Sequence, residues 1–163
     1  MRMIAYSLIF IIVFLIQSSF VDLISIRDVK PDLLLIFLVL MSKYEGRIGG
    51  TVAGFIIGLF QDIWDTQFIG LSSLCKSVSG FVAGQLKNRE PEPGLVTLGT
   101  FLLIIGLLHN LVFFTIKLLG SGYGFFIIVF RFVLPSTLYT LVIGLIIFSI
   151  LPEKWLKFQQ SNE

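Results

Sequence analysis

Apolar residues run through almost the whole chain in long blocks, and the few polar residues divide these blocks into segments of membrane-spanning length. A helix needs about 20 apolar residues to cross the hydrocarbon core of a bilayer. Six segments meet or approach this length: about Met3–Val21, Pro31–Lys43, Gly46–Ile63, Gly70–Leu86, Leu95–Leu119 and Phe125–Leu151. The pattern therefore predicts an all-α, polytopic integral membrane protein that forms a single membrane domain over residues 1–163.

Three of these segments differ from an ordinary membrane span in length or composition. The second is short, so we expect it either to tilt back toward Ile26 or to be a short helix shielded by its neighbours; Pro31 suits its first turn. The fourth contains four serines and Lys76, so it would be a poor span alone, and we expect the other helices to surround it. The first resembles a signal peptide, but its apolar run is long and no small-x-small cleavage site follows, which favours a retained span.

Composition agrees with a membrane protein and excludes several other classes. The chain is 56% hydrophobic and 13% charged, whereas about a quarter of the residues in a soluble domain are charged. The net charge of +2 comes from scattered basic residues, which does not favour a nucleic-acid partner. Cys75 is the single cysteine and His109 the single histidine, so neither a disulfide nor a zinc site is expected. No catalytic or cofactor motif is present, so we expect neither an enzyme nor a bound cofactor.

The distribution of basic residues predicts the orientation. Six spans with both termini in the cytoplasm place seven basic residues inside and three outside, as the positive-inside rule requires. The inner residues are Arg2, Lys43, Arg47, Lys87, Arg89, Lys154 and Lys157, and the outer ones are Arg27, Lys30 and Lys117.

A ladder of glycines marks the third segment. Its members recur at every fourth position: Gly46, Gly50, Gly54 and Gly58. Asp62 falls on the next step, at the outer end of the segment. Small residues at this spacing let the backbone of a second helix come close in a membrane. The ladder therefore predicts a helix-packing or partner interface, and the second helix belongs either to this chain or to a partner. Gly80 and Gly84 form a smaller track on the fourth segment.

Polar side chains within the spans gather in the outer leaflet. They are Asp62, Lys76, His109, Asn110 and Arg131. Such residues are costly in a membrane and are candidates for function. Two interpretations stay open. In the first, the cluster is structural: Asp62 or Asp65 pairs with Lys76 or Arg131, while His109 and Asn110 bond neighbouring backbone. In the second, the same residues line a cavity, open to the outside, that binds a solute or a partner.

Several short motifs, in this order, resemble those of the rod shape-determining protein MreD family. They are Pro31-Asp32-Leu33, Gly46 after Tyr44, Gly50, Gly54-Phe55, Gly58-Leu59, Asp62, Gly70-Leu71, Leu74 and Gly84, followed by Arg131, Pro135 and Tyr139. Each motif is loose, and their order and spacing carry the resemblance. Lys76 and Asp65 are not part of it, so neither receives a role from the family.

The resemblance implies a non-catalytic scaffold or regulatory subunit in the bacterial cytoplasmic membrane. Such a protein belongs to the cell-elongation machinery, binds the membrane-anchored coiled-coil protein MreC, and is linked with MreB filaments, RodA and its partner transpeptidase in peptidoglycan synthesis. The family is similar in fold to the substrate-binding S components of energy-coupling-factor transporters. The alternative function is therefore a substrate-binding subunit of a small-molecule (vitamin) transporter.

Overall fold

The computed structural model describes residues 2–19, 25, 29–64, 68–86 and 94–150. Within these ranges the chain forms five helical elements and no β-strand. They are α1 (Arg2–Ser19), α2 (Leu33–Trp64), α3 (Leu71–Ala83), α4 (Leu95–Lys117) and α5 (Phe125–Ile150). Helix α5 contains one turn of π-helix at Val129–Val133. The predicted all-α class is confirmed for the described residues.

Helix α2 is two helices joined at Gly46. This residue has φ 80° and ψ −170°, a conformation that glycine adopts without the steric penalty of a side chain. A β-carbon at Gly50 would lie only 2.6 Å from Ser42 Oγ, whereas eight residues of continuous helix would separate the two positions by about 12 Å. The chain therefore reverses direction at Gly46, and Pro31 and Gln61 from the two far ends line the same cavity. We call the two arms α2a (33–45) and α2b (47–64).

The short arm α2a lies at the centre of the molecule. All side chains from Leu34 to Val39 are buried, and they form the core with apolar residues of the other helices. This burial agrees with the expectation that the second segment is a short helix shielded by its neighbours. It also explains why the segment is apolar on all sides.

The glycine ladder packs against α3 of the same chain. At each of three glycines, a β-carbon would overlap the α3 backbone: the pairs are Gly50 with Gly80, Gly54 with Lys76 and Gly58 with Ser73. Gly84 continues this contact, because a β-carbon there would lie 2.5 Å from the carbonyl carbon of Gly46. Gly50, Gly54 and Gly58 of the ladder therefore pack against α3, a helix of the same chain. Gly46 departs from the predicted ladder, since it forms the reversal between α2a and α2b.

Helix α3 has its polar side chains inside and its apolar ones outside. The inward residues include Ser72, Ser73, Lys76 and Ser79, which are buried. Leu74, Val78 and Phe81 are exposed, as are many large apolar residues on the other helices. An exterior this apolar is typical of a surface that faces lipid or other helices. In the described part of the chain, two helices are long and apolar enough to cross a membrane, Leu95–Lys117 and Phe125–Ile150.

Candidate functional site

Asp32 connects four helical elements at one end of the bundle, three through its carboxylate and one through its backbone N–H. Asp32 caps α2a, because its Oδ1 accepts the backbone N–H of Leu35 at 2.8 Å. Its Oδ2 accepts a hydrogen bond from Lys76 Nζ of α3 and lies 3.6 Å from His109 Nε2 of α4. The backbone N–H of Asp32 donates to Thr140 Oγ1 of α5 at 3.0 Å. We refer to Asp32, Lys76 and His109 as the Asp32 cluster.

Burial makes the pairing within the Asp32 cluster energetically important. The side chain of Lys76 has no exposed surface and that of Asp32 is 13% exposed. A buried charge is strongly unfavourable unless an opposite charge and hydrogen bonds compensate it. His109 is held from two further sides, by Ser79 Oγ at 3.5 Å from its Nδ1 and by the ring of Phe113, whose centroid lies 5.9 Å away.

Side chains of α1 and α5 also hold the start of α2a. Gln17 of α1 accepts the N–H of Leu33 at 2.9 Å through Oε1 and donates to the carbonyl of Pro31 at 3.2 Å through Nε2. Ser136 of α5 donates to the carbonyl of Lys30 at 3.3 Å. The first turn of α2a is thus fixed by hydrogen bonds from outside its own helix.

Asp62 caps α3. Its carboxylate accepts the backbone N–H groups of Gly70, Ser72 and Ser73 at 3.0, 2.9 and 3.0 Å, and the Ser73 hydroxyl at 2.7 Å. These donors would otherwise be unsatisfied at the helix N-terminus. The expectation that Asp62 pairs with Lys76 is therefore wrong, because Lys76 pairs with Asp32. Asp65, the other acid considered for that pair, lies outside the described residues.

The remaining two residues of the predicted cluster lie apart from each other. Asn110 Nδ2 donates to Thr137 Oγ1 of α5 at 2.9 Å and is buried. Arg131 is exposed on the π-helical turn of α5, and its guanidinium lies over the ring of Phe132 at 5.7 Å. The structure therefore brings Lys76 and His109 together and places Asn110 beside them. Asp62 and Arg131 do not join this group.

An open cavity of about 430 Å³ lies beside the Asp32 cluster. Polar groups, aromatic rings and two lysines contribute to its lining: Asp32, His109 and Asn110; Phe14, Phe113 and Phe114; Lys30 and Lys117. His109, Phe113 and Lys117 are spaced four residues apart, so they share one face of α4. Lys117 Nζ lies 5.3 Å from the ring centroid of Phe113, which completes this row of stacked side chains.

Asp32 and Gln17 were not among the residues predicted to form the polar cluster. A signal for Asp32 was present, because an aspartate directly after a proline and before an apolar run is a typical N-cap. No local sequence pattern predicts that Gln17 forms hydrogen bonds with the α2a backbone, because these bonds join two helices that meet only in the folded protein.

The arrangement supplies paired charges, side-chain amides and aromatic surface. In the described ranges, no three His, Cys, Asp or Glu side chains are placed to hold a metal ion. Comparison of the chain with protein-family models, with curated proteins and with solved structures finds no match.

Proposed function

We propose that the chain is a non-catalytic scaffold of the bacterial cell-elongation machinery. It crosses the cytoplasmic membrane six times with both termini inside. The observation that carries this proposal is the internal pairing of the buried charges. Lys76 forms an ion pair with Asp32, and the carboxylate of Asp62 caps α3. A scaffold uses intramembrane polarity in this way, because hydrogen bonds between helices set their register and leave the exterior apolar.

The apolar exterior is the surface that partners would contact. Every described helix except α2a exposes large apolar side chains, including Leu8 on α1, Phe55 on α2b, Leu74 on α3, Leu108 on α4 and Val142 on α5. MreC is the first partner, through its membrane-spanning helix. MreB filaments act on the cytoplasmic side, and RodA with its partner transpeptidase acts on the outer side. The glycine ladder is excluded as the MreC interface, because α3 already covers it.

Site-specific photo-crosslinking in cells tests the MreC interaction. A photoreactive amino acid is placed singly at Leu8, Phe55, Leu74, Leu108 and Val142, which are all 49–57% exposed. We expect a crosslink to MreC from positions on one side of the molecule, because a single helix covers only part of the exterior.

A matched negative control is the same amino acid at Ala53, which is 7% exposed and faces the interior. A complete lack of MreC crosslinks at all five exposed positions, with crosslinks to lipid or other proteins present, would contradict the scaffold proposal.

A second candidate function is the substrate-binding subunit of a small-molecule transporter. The 430 Å³ cavity favours it, since ligand pockets of this size combine apolar walls with a few polar groups. Deletion of the gene separates the two. A scaffold predicts rounded cells in any medium, whereas a transporter subunit predicts rod-shaped cells that require more of one external nutrient.

A further inference from the structure

A second cavity lies between α1 and the central arm α2a. Its volume is about 290 Å³, and Ile147 of α5 completes its wall. The lining residues of α1 recur at intervals of three and four positions, so they share one face of that helix: Tyr6, Ile9, Val13 and Ile16. The lining residues of α2a also form one face: Leu33, Ile36, Phe37, Leu40, Met41 and Tyr44. We call this cavity the α1–α2a slot.

The slot runs along both helices for about the length of a lipid acyl chain. Gln17 near the end of α1 bonds the N–H of Leu33 at the start of α2a, so Ile16 and Leu33 lie at one end of the slot. Tyr6 and Tyr44 lie at the other end. Leu33 and Tyr44 are eleven positions apart in α2a, which at the rise of an α-helix is about 16 Å. An acyl chain of one leaflet spans about half of the hydrocarbon core, or about 15 Å.

The width of the slot fits a hydrocarbon chain better than a helix. Its volume divided by its length gives a mean cross-section of about 18 Å². One hydrocarbon chain needs about 20 Å², because non-bonded carbon atoms approach to about 4.0–4.5 Å. A helix with its side chains is about 10–12 Å across and needs about 80 Å² or more. The slot therefore admits one acyl chain, whereas the helix of a partner or of a second copy would have to widen it.

The lining of the slot is hydrocarbon along most of its length. Apart from the hydroxyl groups of Tyr6 and Tyr44, its side chains are aliphatic or aromatic, with one thioether at Met41. A polar solute would lose its hydration here without gaining hydrogen bonds in return. Tyrosine is enriched where a membrane meets water, so the tyrosine end is the one from which the ester groups of a lipid would extend. Because packed interiors leave few voids larger than a water molecule, bilayer hydrocarbon is the material expected to fill the slot.

We propose that the α1–α2a slot binds one acyl chain of a bilayer phospholipid. The chain lies between Val13 of α1 and the side chains of Phe37 and Leu40 of α2a, and the ester groups lie at the end formed by Tyr6 and Tyr44. The lipid then becomes part of the packing around α2a, the helix at the centre of the core. This site requires insertion in a membrane but not the scaffold function, and its test does not involve MreC.

A photoreactive lipid measures entry of a chain into the slot. The full-length protein is placed in phosphatidylcholine nanodiscs in which some lipids carry a diazirine at the middle of one acyl chain, and mass spectrometry locates the adducts after irradiation. We expect adducts on Phe37 and Leu40 as well as on Ile12, which is 55% exposed on the outer face of α1. Phe37 is 8% exposed, so a chain in the surrounding bilayer would not label it. Adducts on Ile12 without any on Phe37 or Leu40 would overturn the proposal.

Variants of α1 locate the chain in the slot. Val13→Trp should lower the yield of Phe37 adducts about tenfold, because holding an indole and a chain in one slot carries an overpacking penalty equivalent to about this factor. Ile12→Trp adds the same ring to the same helix outside the slot and should leave the yield unchanged. If Val13→Trp lowers the melting temperature, Val13→Phe is the smaller change that should act in the same direction. Equal Phe37 yields in the wild type and the folded Val13 variant contradict the proposal.

A photoreactive analogue of leucine at Leu40 identifies the occupant in cells. Leu40 is half-buried and lines the slot. The expected product is an adduct between this position and a phospholipid. An adduct with another protein or with a second copy of the chain overturns the proposal, because a protein side chain then occupies the slot. Crosslinking to MreC is read separately, at exposed positions outside the slot, so either proposal can fail while the other stands.

Discussion

At the scale of single residues, Asp32 determines how the helices meet. Its side chain and backbone form hydrogen bonds to groups on α3 and α5, and its carboxylate lies beside His109 of α4, while its own helix is the buried centre of the bundle. Both partners of the contact with Lys76 are largely buried, since the lysine side chain is 0% exposed and that of Asp32 is 13% exposed. An unpaired buried ammonium costs much more free energy than a paired one, so removing Asp32 while Lys76 remains should strongly destabilise the fold.

Asp32→Asn is expected to lower the free energy of unfolding by about 3–5 kcal/mol, because Lys76 then remains buried and charged without its partner. The asparagine can still accept the Leu35 N–H, so the cap is retained. Thermal unfolding of the purified protein in detergent measures the change. Adding Lys76→Met should restore most of the lost stability, and Arg131→Met, at an exposed site, should have little effect. A double variant as unstable as Asp32→Asn alone would rule out the ion pair as the cause.

Asp62→Ala is expected to loosen the first turn of α3. It removes the acceptor for three backbone N–H groups and one hydroxyl, and loss of a helix cap costs about 0.5–2 kcal/mol. Asp62→Asn, which retains one acceptor oxygen, should lie between the wild type and Asp62→Ala. Hydrogen exchange read by mass spectrometry should rise at Ser72 and Ser73 but not in α4. Unchanged hydrogen exchange in α3 of the Asp62→Ala variant would contradict the role of Asp62 as a helix cap.

At the scale of elements, the hairpin of α2a and α2b with α3 is the most closely packed part of the molecule. The glycines of α2b remove side chains where α3 crosses, so two backbones come into contact along about two turns. The backbone of Lys76 lies against Gly54 of the ladder, and from there its side chain extends to the carboxylate of Asp32. The ladder and the ion pair therefore belong to one packing arrangement.

Gly54→Ala is expected to destabilise the protein by at least about 1–3 kcal/mol, because the added methyl group overlaps the backbone of Lys76, which cannot move as a side chain would. The matched control is Gly124→Ala, where no atom lies within 4 Å of the new methyl group and φ is −67°. Gly124 is the N-cap of α5, where alanine is less favourable than glycine, so the control should cost less than about 1 kcal/mol. Melting temperatures in detergent compare the two, and equal values would contradict internal packing of the ladder.

At the scale of the whole molecule, the arrangement is polar at one end of the interior and apolar on the outside. The Asp32 cluster, Asn110 and the 430 Å³ cavity lie together, whereas the exposed surface carries leucine, isoleucine, valine and phenylalanine. The surface of a soluble protein carries most of its charged side chains. The apolar exterior of this molecule is what the proposed position in a bilayer requires.

Cysteine labelling in intact cells tests the six-span orientation. In a Cys75→Ser background, a cysteine at Ser121, between α4 and α5, should react with a membrane-impermeant maleimide added from outside. A cysteine at Arg89, in the loop predicted to be cytoplasmic, should react only after the cells are permeabilised. Labelling of both positions from outside, or of neither, would be incompatible with this orientation.

Composition and apolar blocks alone indicated that the chain is helical and suited to a membrane, because a continuous apolar run of this length satisfies its backbone hydrogen bonds within a bilayer by forming a helix. Local chemistry also marked Gly46 to Gly58 as a place of close packing, since only glycine leaves room for a second backbone. These properties depend on neighbours along the chain, which a sequence contains directly.

Only the tertiary structure decided which groups meet. Lys76 had two acidic candidates by sequence and pairs with a third, Asp32, which is 44 residues away. The ladder could have received a partner's helix and receives α3, while Arg131 lies outside the cluster that it was expected to join. The physical reason is that partners across a bundle are set by how the helices reverse, rotate and cross, and these degrees of freedom are fixed only when all the helices pack together.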